Sequence, residues 1–143
     1  MGANHKFGQR SISRMEGVSP LLKEWAKRLL IKSPFDLTIP YLGGYRTAEE
    51  QNGLYENGQG VTQKDGYVKK SYHQSGNALD IVIAGKTIEA MYNIEKLDYL
   101  GKLGFEVWQE MEQEDIEVSN YKLTWGGSWR WKDRPHWQIK RKS

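Results

Sequence analysis

The sequence contains no cysteine. Disulfides, zinc knuckles and thiol catalysis are excluded together, and any transition-metal site must draw on His, Asp and Glu. Histidine is scarce too: His5, His73 and His136 are the whole supply. No apolar run approaches the roughly 18–20 residues of a spanning helix. The mean hydropathy is low, which excludes a membrane-buried chain. The start, Met1 to Arg10, lacks the apolar stretch of a secretory signal. Linkers, internal repeats and low-complexity blocks are missing as well.

What remains is 143 residues, one domain's worth, so residues 1–143 are expected to form a single domain around one core. The net charge of +3 suits a polyanionic surface such as a cell wall, and plain solubility accounts for it as well. The basic residues form no stripe apart from Lys140-Arg141-Lys142, so no nucleic-acid partner is expected. Six tryptophans fit either a rigid core or a carbohydrate-contacting surface.

Residues 1–16 are polar. A helix is expected from Ser19-Pro20, with Ser as N-cap and Pro at the first helical position. Leu21, Leu22, Trp25, Leu29 and Leu30 recur on one face, and Ser33-Pro34 ends it. Leu37 to Leu42 is β-rich, with Pro40 marking an edge strand. After a Gly43-Gly44 turn, Thr47-x-x-Glu50 reads as a capping box opening a helix that ends near Gly58. Residues 58–71 read as a surface loop, and Leu79 to Ile83 as a buried strand. Thr87 caps a helix that Gly104 is expected to stop, with Phe105 to Trp108 a strand after it. Glu110 to Glu117 then reads as a loop or hairpin arm, and Trp125 to Gly127 as a turn. His136 to Lys140 alternates as a last strand. The pattern is α+β, a small, mainly antiparallel sheet flanked by helices.

Two segments carry chemistry. In Ser71 to Asp80, a turn containing Gly76 separates His73 from Asp80, which opens an apolar strand. A carboxylate there is costly unless paired or bound to metal, although a hydrogen-bonded surface turn explains the same residues. In Asp133-Arg-Pro-His136, the proline fixes the backbone before a strand in which Trp137 and Ile139 face the core. His136 and Gln138 then face the open side. An exposed histidine with an incidental acid is the plain alternative. Together the segments meet the needs of a catalytic zinc: three protein ligands, an open position and a nearby base. Arg46, just before the capped helix, is placed to stabilise an oxyanion or hold a carboxylate.

His73-Gln-Ser-Gly76-Asn-Ala78-Leu-Asp80 resembles the first zinc motif of the D-alanyl-D-alanine carboxypeptidase family of metallopeptidases, which shares its zinc site and core fold with the hedgehog signalling domain. Asp133-Arg-Pro135-His136 resembles the second motif. Gly44-Tyr-Arg46-Thr47, followed by Gln51 and Leu54-Tyr55, resembles the arginine segment. Phe7 to Ser11, Gly17 to Pro20 and Trp125 to Trp129 resemble the phage-endolysin branch, whose members cut the L-alanyl-D-glutamate bond of the peptidoglycan stem peptide. The likeness runs from Phe7 to Gln138. Ser128 stands where an acidic residue is more usual, Trp137 replaces a commoner Phe, and the 58–71 loop is extended.

The resemblance implies a hedgehog- and DD-peptidase-like fold, with zinc held by His73, Asp80 and His136. It makes Asp133 the general base and gives Arg46 the oxyanion role. Ser71 and Gln51 become substrate-side candidates. His5, placed in the polar N-terminal segment, is expected to have no catalytic part. The implied activity is zinc-dependent hydrolysis of the L-Ala–D-Glu bond. A D-Ala-D-Ala carboxypeptidase or dipeptidase, or a non-catalytic wall-binding module, is the alternative. The expected protein is a monomer without stable membrane insertion. It waits in the host cytoplasm for holin-mediated release and then acts on periplasmic peptidoglycan.

Overall fold

The computed structural model describes residues 5–57 and 62–143. Helix α1 spans Gln9–Arg14 and α2 spans Pro20–Lys32, the latter capped by Ser19, whose side chain accepts from the Leu21 amide. The buried face of α2 is Leu22, Trp25, Ala26, Leu29 and Leu30. Strand β1, Leu37–Thr38, is shorter than the expected Leu37–Leu42, because Pro40 and the turn after it leave no ladder to continue. Helix α3, Ala48–Glu56, opens on the full Thr47–Glu50 capping box, and its C-cap is Asn57. The expected end near Gly58 lies outside the described residues.

The segment read as one strand, Leu79 to Ile83, divides into two. Strand β2, Ala78–Asp80, joins a three-stranded antiparallel sheet in the order β2-β5-β4, where β4 is Tyr121–Trp125 and β5 is His136–Arg141. Strand β3, Val82–Ile83, pairs instead with β1. The break falls at Ile81, whose amide donates to the Pro135 carbonyl at 2.9 Å rather than continuing either ladder.

The region after Thr87 departs most from expectation. Thr87 caps only the short α4, Ile88–Met91, and Asn93 then caps a second helix, α5, over Ile94–Glu114. Gly104 does not stop this helix, Phe105 to Trp108 is helical rather than a strand, and the acidic stretch through Glu114 is its last turns. The physical reason is tertiary. Gly101 and Gly104 lie where the Trp125 and Trp137 rings press on α5 and leave no room for a Cβ. The Gly104 carbonyl also accepts from Trp25 Nε1 at 2.9 Å. Arg28 and Lys32 of α2 pair with Glu114 and Glu110, which gives the acidic turns a partner.

Trp25, Trp137, Leu79 and Ile139 sit at the centre of the core, between α2, α5 and the inner face of the sheet. Among the described residues no helix is long and apolar enough to cross a membrane.

Candidate metal centre and its surroundings

Register puts Asp80 directly opposite His136 across β2 and β5. Strand alternation buries Trp137 and Ile139 below and leaves His136 and Gln138 on the other face, as the sequence pattern requires. His73 comes from a single 3-10 turn, Tyr72–Ser75, that ends on Gly76 at φ +76°. A side chain at Gly76 would overlap the Gly17 carbonyl, so the tight approach that brings His73 to the sheet needs glycine there.

His73 Nε2, His136 Nδ1 and Asp80 Oδ1 converge. The two ring nitrogens are 3.3 Å apart, and they lie 3.4 and 3.2 Å from the carboxylate oxygen. Donors of a tetrahedral ion held at about 2.0–2.1 Å stand about 3.3 Å from one another, so the spacing is that of a metal site. The outer ring atoms decide the tautomers. His73 Nδ1 donates to the Gly44 carbonyl at 2.8 Å. His136 Nε2 donates to Gln138 Oε1 at 2.8 Å. When both rings are neutral, the inner nitrogens are therefore bare lone pairs facing each other and a carboxylate. Only a cation or an extra proton between them relieves that arrangement, and the cluster can bind a metal.

Residues 3–143 match the family model for the phage L-alanyl-D-glutamate peptidase. The chain belongs to that family. As a member of it, the protein is an L-alanyl-D-glutamate peptidase. It is similar to the L-alanyl-D-glutamate peptidase of Escherichia phage T5, at 31% identity over 137 residues, covering 95% of this chain and 90% of the relative. A solved structure of the Serratia marcescens L-Ala D-Glu endopeptidase shares the fold, with a TM-score of 0.71 at 21% identity over 95% of this chain and 91% of that one.

Asp133 and Arg46 both border the peptidase's cluster. Asp133 stands at the exposed rim. Its carbonyl accepts from the His136 amide at 3.1 Å, and its own amide donates to Gly126 at 2.9 Å. Partial burial and the nearby Asp80 charge push its carboxyl above the ordinary range. Asp80 is driven the other way. Burial alone would raise it, but the His136 and His73 rings, where the inner nitrogens carry the extra proton, donate to it and with their charge hold it below the usual carboxylate range. Burial opposes charging of His136, yet the Asp80 hydrogen bond and charge outweigh this and raise its pKa.

Arg46 is largely enclosed. Its Nε donates to the Leu42 carbonyl at 2.6 Å, Nη1 to Gln51 Oε1 at 3.0 Å, and Nη2 reaches Asp80 Oδ2 at 3.5 Å. Burial lowers its pKa, against the carboxylates of Asp80, Asp133 and Glu50. Gln51 is 0% exposed, so a place at the substrate surface does not fit it. It braces Arg46 and donates to Thr62 and to the Lys64 carbonyl. Ser71 caps the turn that carries His73, its hydroxyl accepting from the His73 amide at 3.2 Å. His5 stands apart, beside Asp36.

Three neighbours of the cluster have no site role in the sequence reading. Gln138 fixes the His136 tautomer. Trp129 sets its ring 5.2 Å from that of His136. Tyr92 has its hydroxyl pKa raised by burial and by the charges of Asp80 and Asp133. Gln138 was legible as a polar residue on the face of His136. Tyr92 gave no such signal, since it reads as one more apolar position of a helix.

Proposed function

We propose that the protein is a zinc peptidase of one catalytic domain that hydrolyses the L-Ala–D-Glu bond of the peptidoglycan stem peptide. His73, Asp80 and His136 hold the metal, Asp133 is the base and Arg46 stabilises the oxyanion. The observation that carries this is the triangle of donor atoms 3.2–3.4 Å apart with both outer ring nitrogens already committed. Two imidazoles and one carboxylate are a donor set for zinc, with a fourth position left for water or substrate.

A zinc ion held there would lower the pKa of its water toward about 7 and would polarise the scissile carbonyl. The chain's own groups do the rest. Asp133, at the rim with a raised pKa, accepts the proton of the attacking water and passes it to the leaving amine. Arg46 is anchored at Nε and Nη1, so Nη2 is held toward the cluster, where negative charge develops. Its contact with the outer oxygen of Asp80 also keeps that carboxylate ionised and oriented. Gln51 and Ser71 position Arg46 and His73.

The protein acts as a monomer on periplasmic peptidoglycan after release from the host cytoplasm through a holin lesion. Two variants test the assignment. Asp133→Ala is expected to fold and bind one zinc but to lose wall lysis, while His136→Ala loses both zinc and lysis. Full lysis by the first, or stoichiometric zinc in the second, contradicts the roles given.

A further inference from the structure

The outer face of the β2-β5-β4 sheet is a graded floor. Register and alternation place Asp80 and His136 in its first row. Ala78, Gln138 and Thr124 form the next row. Lys140 and Lys122, both exposed and directly opposite each other, form the third. At two residues per row, the lysines stand about 13 Å along β5 from His136. The floor thus runs from the candidate metal donors, over an uncharged row in which Gln138 and Thr124 are half-buried and Ala78 is buried, to a pair of cations.

Like charges directly opposite across strands are destabilising. Among the described residues neither lysine has an acidic partner that would offset this. Arg141, next in the strand, is placed differently. It lies over the Tyr121 ring and 3.8 Å from Glu117. Lys140 and Arg141 also line a shallow cleft with Lys70, whose other wall is the Ser71–Asn77 segment that carries His73. At the opposite end, past His136, the Trp129 ring stands 5.2 Å from that of His136, and Trp131, with Arg130 over its ring, is 83% exposed.

We infer that Lys122 and Lys140 bind a carboxylate of the stem peptide on the D-glutamate side of the scissile bond, so that the peptide runs from the tryptophans over the cluster to the lysine row. This rests on the peptidoglycan reading above. The neutral, sugar-bearing side of L-alanine then lies toward Trp129. The residue that follows D-glutamate brings its side chain to the lysines, and a terminal carboxylate is favoured there over an amide or an ammonium.

The test uses the zinc-loaded protein and three synthetic peptides, acyl-L-Ala-γ-D-Glu-X. They differ only in whether the side chain of X ends in a carboxylate, an amide or an ammonium. The wild type is expected to prefer the carboxylate through KM, by roughly threefold to tenfold in kcat/KM over the amide. Added salt should weaken that preference. The Lys122→Ala/Lys140→Ala double variant should lose it, and Lys122→Glu/Lys140→Glu should invert it toward the ammonium peptide. An identical ratio in all three proteins overturns the lysine assignment while leaving the peptidase reading intact. Failure of the wild type to cut any of the peptides between L-Ala and D-Glu overturns both.

Discussion

Three consecutive carbonyls organise the centre. That of Leu42 accepts from Arg46 Nε, that of Gly43 from the Asp80 amide, and that of Gly44 from His73 Nδ1. Leu42 takes up a left-handed conformation at φ 58°, a place where a leucine is strained, and the turn this creates aims the three carbonyls inward. The three candidate donors can be picked out in the sequence, since a chain with three histidines offers few ways to build a metal site. The groups that orient them cannot, because a backbone carbonyl carries no residue signature. Gln138 tests how much such orientation matters. Gln138→Ala is expected to lower zinc affinity roughly 10–100-fold, as loss of a partner to a ligating histidine does. Gln138→Glu, which keeps an acceptor at His136 Nε2, should retain it. Competition against a chromophoric chelator measures both, and equal affinity in the alanine variant contradicts the tautomer argument.

At the scale of elements, caps and alternation were reliable guides and isolated glycines were not. Ser19, the Thr47–Glu50 box and the alternation of β5 act locally, so the chain shows them directly. Gly104 carries a long-range meaning: it makes room for Trp25 and Trp137 and keeps α5 running beneath the sheet. Phe105 to Trp108 looks β-rich in isolation, yet Val107 and Trp108 continue the buried stripe begun by Leu97 and Leu100. Two glycine substitutions separate these effects. At Gly53 of α3 a Cβ meets nothing within 4 Å, so Gly53→Ala should stabilise by about 0.5–1 kcal/mol. Gly104→Ala gains the same helix propensity but crowds two indole rings, and should lose about 1–3 kcal/mol overall. Thermal or urea unfolding of the two variants reads the contrast, and equal shifts would mean that α5 tolerates a side chain against the tryptophans.

At the scale of the whole molecule, the candidate metal centre is tied to the fold. Strand β2 is held to β5, the His73 turn to Gly44 and Gly17, and Asp133 to Gly126, so the cluster ties together segments far apart in the chain. A metal that binds only the folded state stabilises it by mass action. In the metal-free protein the raised His136 pKa contributes stability that is fully present below about pH 6.5 and is lost as pH rises through the folded value. The depressed Asp80 contributes stability that is present above about pH 3.9 and is lost as pH falls toward its folded value. On the assignment proposed above, zinc would compete with protons for the same nitrogens, so its affinity would run the other way and rise with pH. The gap in melting temperature between zinc-loaded and chelated protein should therefore widen from pH 6 to pH 8. A gap that stays flat places the ion elsewhere.

Mass spectrometry of purified peptidoglycan digested by the zinc-loaded protein, beside a chelated sample, tests the central claim most directly. Products with a new D-glutamate amine, absent after chelation and restored by zinc, are the predicted result. Release of free D-alanine, or the same products in the chelated sample, would contradict it.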